Sequence, residues 1–418
     1  MAKLGVAPQV LALAIARMAE SIGNSFLIVV LPLFIASDAV GGATFGFTEI
    51  ALTGIILSLF GFVNSPLQPL TGRLSDRLAR RKIFVLFGLS VLALASFAYS
   101  FATEYWHLFG LRILQGVAGA FIIPTTVALV NDLATDQNRG GNMGTYNTFR
   151  LVGFGAGPVA AGAVVAAGPY SFSLGPLAAS FSGFDAAFYF AAFTATVSLL
   201  LVLFTIRDPD LDPADPESET GGIRILARSD DRILNPVFTL GVVAFFMAVG
   251  IALFATLGDI VNDRLNQGPT MFGLQFAAFV FAQILLQAPI GRATDFYGRK
   301  PFIVAGTILL VPTTLAQGIV LDSWLMFLAR FAQGAAGAMV FAPGLALAGD
   351  LAPKDESGGT LAVLTMAFGL GVAFGPLISG FLVEFGFWVP FAFGAVLAAI
   401  GVVLVQTQVD EVLSLSRS

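Results

Sequence analysis

The sequence predicts an all-α polytopic membrane protein, with twelve transmembrane helices in two pseudo-symmetric six-helix bundles that point the same way. Three observations predict it. Apolar runs of membrane-spanning length recur along the whole chain. Basic residues gather on alternate loops. A series of motifs from the first half returns in the second, in the same order and at a nearly constant spacing.

Of the 418 residues, 57% are hydrophobic and only 11% charged, against about 25% charged in a water-soluble domain. So much apolar surface needs the bilayer as its solvent. A run of about 20 apolar residues crosses ~30 Å of hydrocarbon. Helix is the structure that satisfies every backbone N–H within such a run.

The runs are taken in chain order. The first, 8–35, is too long for the core of a cleavable signal, and it carries Arg17, Glu20 and Asn24. The second, 48–70, holds Asn64 and Gln68 and leads into the charged loop "GRLSDRLARRK". The third is 83–102. The fourth, 107–131, opens on the only histidine, His107, read as an interfacial residue, and contains "LRILQGVAGA". The fifth, 141–167, carries Arg150 and "VGFGAGPVAAG", and the sixth, 185–206, closes the first half. A polar stretch at 207–235 with eight acids between Asp208 and Asp231 reads as a solvated linker. The seventh run is 236–258. The eighth, 271–290, holds Gln283 and Gln287 and leads into "GRATDFYGRK". The ninth is 302–320. The tenth, 323–349, contains "ARFAQGAAGA", the eleventh, 358–383, contains "LGVAFGPLISG", and the twelfth is 387–407. The expected domains are therefore 1–206, a cytoplasmic linker 207–235, and 236–418.

Of 21 Lys and Arg residues, Arg17, Arg112, Arg150 and Arg330 fall inside helices and Arg264 on an odd-numbered loop. The other 16 lie on even loops and termini. The positive-inside rule then puts both termini and the even loops in the cytoplasm, which fits a cell membrane. Arg112 maps to Arg330, Gln115 to Gln333, Asp132 to Asp350 and Pro158 to Pro376, all at one spacing, and Gly72 maps to Gly291 one position further on. A duplicated six-helix unit gives two copies related by an axis along the membrane normal, with a ligand site near mid-depth.

With these motifs in hand, the chain resembles the major facilitator superfamily over essentially its whole length, in particular the twelve-helix drug/proton antiporter branch. The family's loop between helices two and three, G-x-L-x-D-R-x-G-R-[RK], reads here Gly72, Arg73, Leu74, Asp76, Arg77, Arg80 and Arg81, with Ala79 in place of the second glycine. The second copy keeps Gly291, Arg292, Asp295, Gly298 and Arg299. The resemblance implies a cytoplasmic latch, in which the loop's Asp and Arg residues grip the partner half. Asp132 is the expected partner of Arg73 or Arg77, and Asp350 that of Arg292. Gly153, Gly157 and Pro158, and likewise Gly371, Gly375 and Pro376, form GxxxGP segments. Small residues four apart let helix backbones approach closely. The helix-five version resembles an element associated with antiporters.

Ionisable groups inside a membrane helix are expensive and mark cavities or partners. Arg17, Glu20 and Asn24 fall at i, i+3 and i+7, one helical face. Counting ~1.5 Å per residue puts Glu20 and Arg112 at similar depth, and Arg17 level with Arg150. The expectation is Glu20 facing Arg112, with the pair as the proton-coupling candidates and a permanent bridge that fixes helix one against helix four as the alternative. Burial favours the neutral form of a carboxyl group and a nearby cation favours the charged form, so a change of water access can move the proton. Arg17, Asn24, Asn64, Gln68, Gln115, Arg150, Gln287, Arg330 and Gln333 are the substrate-cavity candidates. A surplus of arginine there suits an anion.

No cysteine, no phosphate-binding GxxxxGK[ST] loop and no Ser/His/Asp or metal-ligand arrangement is present. The expected protein is therefore not an enzyme and carries no cofactor or metal. It is expected to be a secondary transporter working by alternating access. Proton-coupled export of small amphipathic compounds is the first reading, and import or exchange of organic anions is the alternative. Its expected partners are a small-molecule substrate, protons and membrane lipid, as a monomer and without nucleic acid.

Overall fold

A computed structural model describes residues 8–37, 39–134, 139–174, 177–208, 233–351 and 357–411. Among these, twelve spans are long and apolar enough to cross a membrane. The helices are α1 (Pro8–Ile35), α2 (Glu49–Leu78), α3 (Arg81–Ala98), α4 (Tyr105–Asp132), α5 (Arg139–Ala167), α6 (Gly183–Thr205), α7 (Pro236–Ala252), α8 (Gly258–Arg264), α9 (Pro269–Tyr297), α10 (Lys300–Ile319), α11 (Ser323–Leu351), α12 (Ser357–Leu382) and α13 (Val389–Gln408). The seventh span is α7 and α8 joined by a 3-10 stretch, Leu253–Leu257.

Two helices outrun their apolar runs. α2 continues from the expected end at 70 to Leu78, and α9 from 290 to Tyr297. Charged side chains are tolerated once the backbone leaves hydrocarbon, so hydropathy stops before the helix does. Both stop at a left-handed residue, Ala79 (φ 49°) and Gly298 (φ 92°), the usual way to end a helix. One element was not expected. An antiparallel hairpin, β1 (Tyr170–Leu174) and β2 (Leu177–Phe181), pairs Tyr170 with Phe181 between α5 and α6.

The chain forms two compact units. Unit 1 is Met1–Ser218 with Gly258–Ala277, and unit 2 is Glu219–Leu257 with Ala278–Ser418. Residues Gly258–Ala277, assigned to the second half by sequence, thus cluster with unit 1. Nearly all of the expected linker lies outside the described residues. In unit 1, α1 packs on α5 and α6, α2 on α4, and α3 on α4 and α6. In unit 2, α7 packs on α12 and α13, and α10 on α11 and α13. Glycines set the closest approaches. A Cβ at Gly153 would meet the Met18 carbonyl, and one at Gly157 the Ile22 carbonyl and Ser25 Oγ. Gly371 and Gly375 stand the same way over the Phe245 and Val249 carbonyls of α7. Ser379 Oγ donates to the Leu253 carbonyl at 2.7 Å, and Thr256 Oγ1 to that of Pro376 at 3.1 Å, which supplies partners along the 3-10 stretch.

Candidate functional site

α1 carries an ion pair into the interior of unit 1. Arg17 Nη1 lies 2.7 Å from Glu20 Oε2, and the two residues are 8% and 3% exposed. Ser21 Oγ donates to the same carboxylate oxygen at 3.3 Å. α5 adds Tyr146 and Arg150, four residues apart and so on one face. Both couple electrostatically to Arg17 and Glu20. The Tyr146 hydroxyl shares a 2.6 Å hydrogen bond with Thr126 Oγ1 of α4. Arg150, half-buried, donates from Nε to Asn147 Oδ1 at 3.0 Å. Arg17 Nε is buried with no hydrogen-bond partner among the described residues. The one carboxylate is therefore paired with Arg17, and a second guanidinium, that of Arg150, stands on the helix packed against it.

Glu20 does not face Arg112 as sequence depth suggested. Matching depth leaves the direction around the helix axis open, and Arg17, three residues away on the same helix, reaches the carboxylate first. Arg112 turns instead towards α2 and α3. Its Nη1 donates to Gln115 Oε1 at 2.9 Å, and its guanidinium sits 5.2 Å from the Phe60 ring centre. The Tyr99 hydroxyl donates to Gln115 Oε1 at 3.2 Å, and Gln115 Nε2 donates to Ser96 Oγ at 3.3 Å. Unit 2 repeats this module. Arg330, fully buried, donates from Nη1 to Gln333 Oε1 at 2.5 Å and stacks 5.1 Å from the Phe279 ring, while Gln333 Nε2 donates to Thr314 Oγ1 at 3.0 Å. Arg330 Nη1 also reaches the Ile251 carbonyl at 3.3 Å, and Gln333 Nε2 the Gly250 carbonyl at 3.3 Å. Arg112, Gln115, Arg330 and Gln333 thus bind helix to helix inside their own units. Of the other cavity candidates, Asn24, Gln68, Arg150 and Gln287 are half-buried, and Asn64 is buried and accepts from Gln68 Nε2 at 3.1 Å.

The loop motif is built differently from its expectation. Arg81 is the hub. Its Nε donates to Asp132 Oδ2 at 2.9 Å and its Nη1 to Ser75 Oγ at 2.9 Å, and Nη1 also pairs with Asp76. In unit 2, Arg299 pairs with Asp350. The side chain of Asp295 lies outside the described residues. Arg73, Arg77, Arg80 and Arg292 are at least partly exposed, and Gly72 and Gly291 lie near the helix ends. Arg73 or Arg77 was expected for Asp132, and Arg292 for Asp350. The hub is instead the first residue of the next helix in unit 1 and the residue just before it in unit 2. Each bond shown joins residues of one unit.

Sequence reasoning missed Tyr146, Thr126, Tyr99, Ser96 and Thr314. The i, i+4 spacing of Tyr146 and Arg150 was the available signal for the first. Unit 2 supplies a comparison. Gly153 and Gly157 sit over Met18 and Ile22, and Gly371 and Gly375 over Phe245 and Val249. The spacing that carries Met18 to Phe245 carries Arg17, Glu20 and Asn24 to Ala244, Met247 and Ile251. The spacing that carries Gly153 to Gly371 carries Tyr146 and Arg150 to Leu364 and Phe368. The same helix pair is packed in unit 2 with no charge at these positions.

Residues 13–258 and again 237–412 match the Major Facilitator Superfamily. The chain belongs to that superfamily. It is a multi-pass membrane transporter and not an enzyme. Multidrug resistance protein 2 of Bacillus subtilis (strain 168) is 24% identical to it over 91% of this chain and 90% of that protein. The multi-drug resistance efflux pump PmrA homolog of Lactococcus lactis subsp. lactis (strain IL1403) is 26% identical over 85% and 84%. The solved structure of a bacterial homolog to the human lysosomal transporter Spinster, inward-facing and occupied, shares the fold with a TM-score of 0.72, 13% identity and coverage of 96% of this chain and 93% of that one.

Proposed function

We propose that this superfamily member is a secondary active transporter working by alternating access, which exports small amphipathic compounds and binds a proton at Glu20. The names of the multidrug relatives support the substrate breadth and the direction. The observation that carries the proton step is the buried Arg17–Glu20 pair with Tyr146 and Arg150 around it. Unit 2 packs the equivalent helices with Ala244, Met247, Leu364 and Phe368, so the charges are not needed to hold α1 on α5. A desolvated charge pair kept where apolar residues suffice points to a role in transport.

The basic loops 72–82 and 291–300 face the cytoplasm in this reading, in a cell membrane and with a monomer sufficient. A second reading, transport of organic anions, is favoured by the charge count of the two packed helices, Arg17 and Arg150 with the single carboxylate of Glu20. The two differ in how the proton is used. A cation needs Glu20 bare and exchanges with its proton, whereas an anion needs Glu20 neutral and shares the site with it. Proteoliposomes with an imposed pH gradient test the proton step. Glu20→Gln is expected to lose pH-driven movement of a transported dye while binding and gradient-driven equilibration persist. Full pH-driven transport by the Glu20→Gln protein removes Glu20 from the proton role.

A further inference from the structure

We infer that the Arg17–Tyr146–Arg150 cluster of unit 1 is a binding site for the anionic head of an amphipathic monoanion, a carboxylate or sulfonate, and that Glu20 is its built-in stand-in. The inference rests on the proposed transporter reading of this same site and adds the charge of the ligand.

Four observations lead there. The cluster pairs Glu20 with Arg17 and carries a second guanidinium, that of Arg150, on α5, the helix packed on α1, in a membrane bundle where an uncompensated charge is costly. Arg17 is nine-tenths buried, and its Nε has no partner among the described residues although Glu20 occupies Nη1. Guanidinium groups offer planar pairs of donors that match a carboxylate or sulfonate. Arg150 is only half-buried, so its side chain keeps some accessible surface. Tyr146 supplies one more hydroxyl, tied to Thr126 at 2.6 Å.

A cation at this cluster is repelled by both guanidinium charges and finds one carboxylate already paired with Arg17. An anion finds the free Nε of Arg17, with Glu20 as its competitor for that guanidinium. Neutralising Glu20 frees Arg17 for the ligand, so a proton on Glu20 and an anion on the arginines assist one another. The groups facing Glu20 are few. Arg17 comes from its own helix, and Tyr146 and Arg150 come from α5. On α6, Asp185 caps the helix start and Tyr189 packs on Phe97 and Phe181. Arg112 of α4 turns to Gln115. On α2 the ionisable residues Glu49, Arg73, Asp76 and Arg77 lie at the two ends, and on α8 Asp259 couples to Asp263 and Glu49.

The test uses one fluorophore with three charges: dansylglycine, its neutral amide, and a dansyl probe ending in trimethylammonium. Binding to the full chain in detergent is read by fluorescence. The carboxylate is expected to bind the native chain best, and more tightly on acidification. Glu20→Gln is expected to tighten dansylglycine by roughly tenfold, to abolish that pH dependence, and to leave the amide unchanged. A merely structural ion pair predicts weaker binding of all three probes after the same change. Arg150→Gln, at a half-buried position, carries the test if Glu20→Gln fails to fold. It is expected to weaken dansylglycine roughly tenfold and leave the amide unchanged. Preference for the trimethylammonium probe, equal binding of the three, binding of none, or weaker dansylglycine binding in Glu20→Gln each overturns the anion site. Dye transport measured in parallel shows whether the transporter reading survives that result.

Discussion

Ala79 stands where the family loop has glycine, and the backbone shows what that substitution meets. Its φ of 49° is left-handed, a conformation that disfavours an L side chain by about 1–2 kcal/mol. Its counterpart Gly298 ends α9 at φ 92°. A Cβ there would come within 2.6 Å of Glu411 Oε2, the oxygen that accepts the Lys300 backbone N–H at 2.7 Å. The two positions predict opposite signs. Ala79→Gly should stabilise unit 1 by up to about 1 kcal/mol, part of the relief being offset by glycine's extra freedom when unfolded. Gly298→Ala should destabilise unit 2 by more than about 1 kcal/mol, through backbone strain and loss of the Glu411 cap. Thermal unfolding in detergent reads both, and equal shifts of the same sign overturn the account. At this scale the sequence was legible in part. The residues of the site were present as spacing: Arg17 and Glu20 at i, i+3, Arg112 and Gln115 likewise. What spacing lacked was direction. Depth along a helix can be counted from one end, but which neighbour a side chain turns to depends on azimuth and on the nearest competing partner. Spacing alone therefore pairs Glu20 with Arg112, and Asp132 with Arg73 or Arg77.

Among the elements, the α1–α5 contact depends most closely on residue size. A Cβ at Gly157 would come 3.0 Å from the Phe26 backbone N, and closer still to the Ile22 carbonyl and Ser25 Oγ. Gly144 of the same helix has nothing within 4 Å of its position. Gly157→Val should therefore push α5 off α1, at a cost of about 1–3 kcal/mol for overpacking, and should lower transport because Glu20 and Arg150 sit on the two helices concerned. Gly144→Ala, as the control, should be neutral or stabilise by up to about 1 kcal/mol. Denaturant titration of the two variants side by side checks the contrast, and a Gly157→Val protein as stable as the native chain removes close packing from the explanation. The helices themselves were readable because apolar length and the bilayer admit one solution. The hairpin Tyr170–Phe181 was not, although "YSFSL" alternates polar and apolar residues. So short an alternation is a weak signal beside apolar runs that cross a membrane.

Across the whole molecule, the duplication explains most of the architecture, and its breaks show where the halves have diverged. Lys82 donates its backbone N–H to Asp208 at 2.7 Å, as Lys300 does to Glu411. The chain from Lys82 to Asp208 is longer than the chain from Lys300 to Glu411, so the first unit holds extra sequence between equivalent partners. The hairpin lies in that interval. The charged cluster of α1 and α5 is the second break. The loop hubs occur in both halves, and each closes within its own unit, Arg81 on Asp132 and Arg299 on Asp350. A latch that spanned the halves would make the two pairs depend on one another. Hubs that brace separate bundles would not. Asp132→Asn should destabilise by about 1–2 kcal/mol, since its partner Arg81 is largely buried, and Asp350→Asn by about 0.5–1 kcal/mol at a more exposed pair. The double variant should equal the sum of the two within about 0.5 kcal/mol, as expected for sites without shared partners. An interaction energy above about 1 kcal/mol in that cycle, measured by unfolding of the reconstituted chain, means that the two loops act as one device and that the within-unit bonds describe only half of their work.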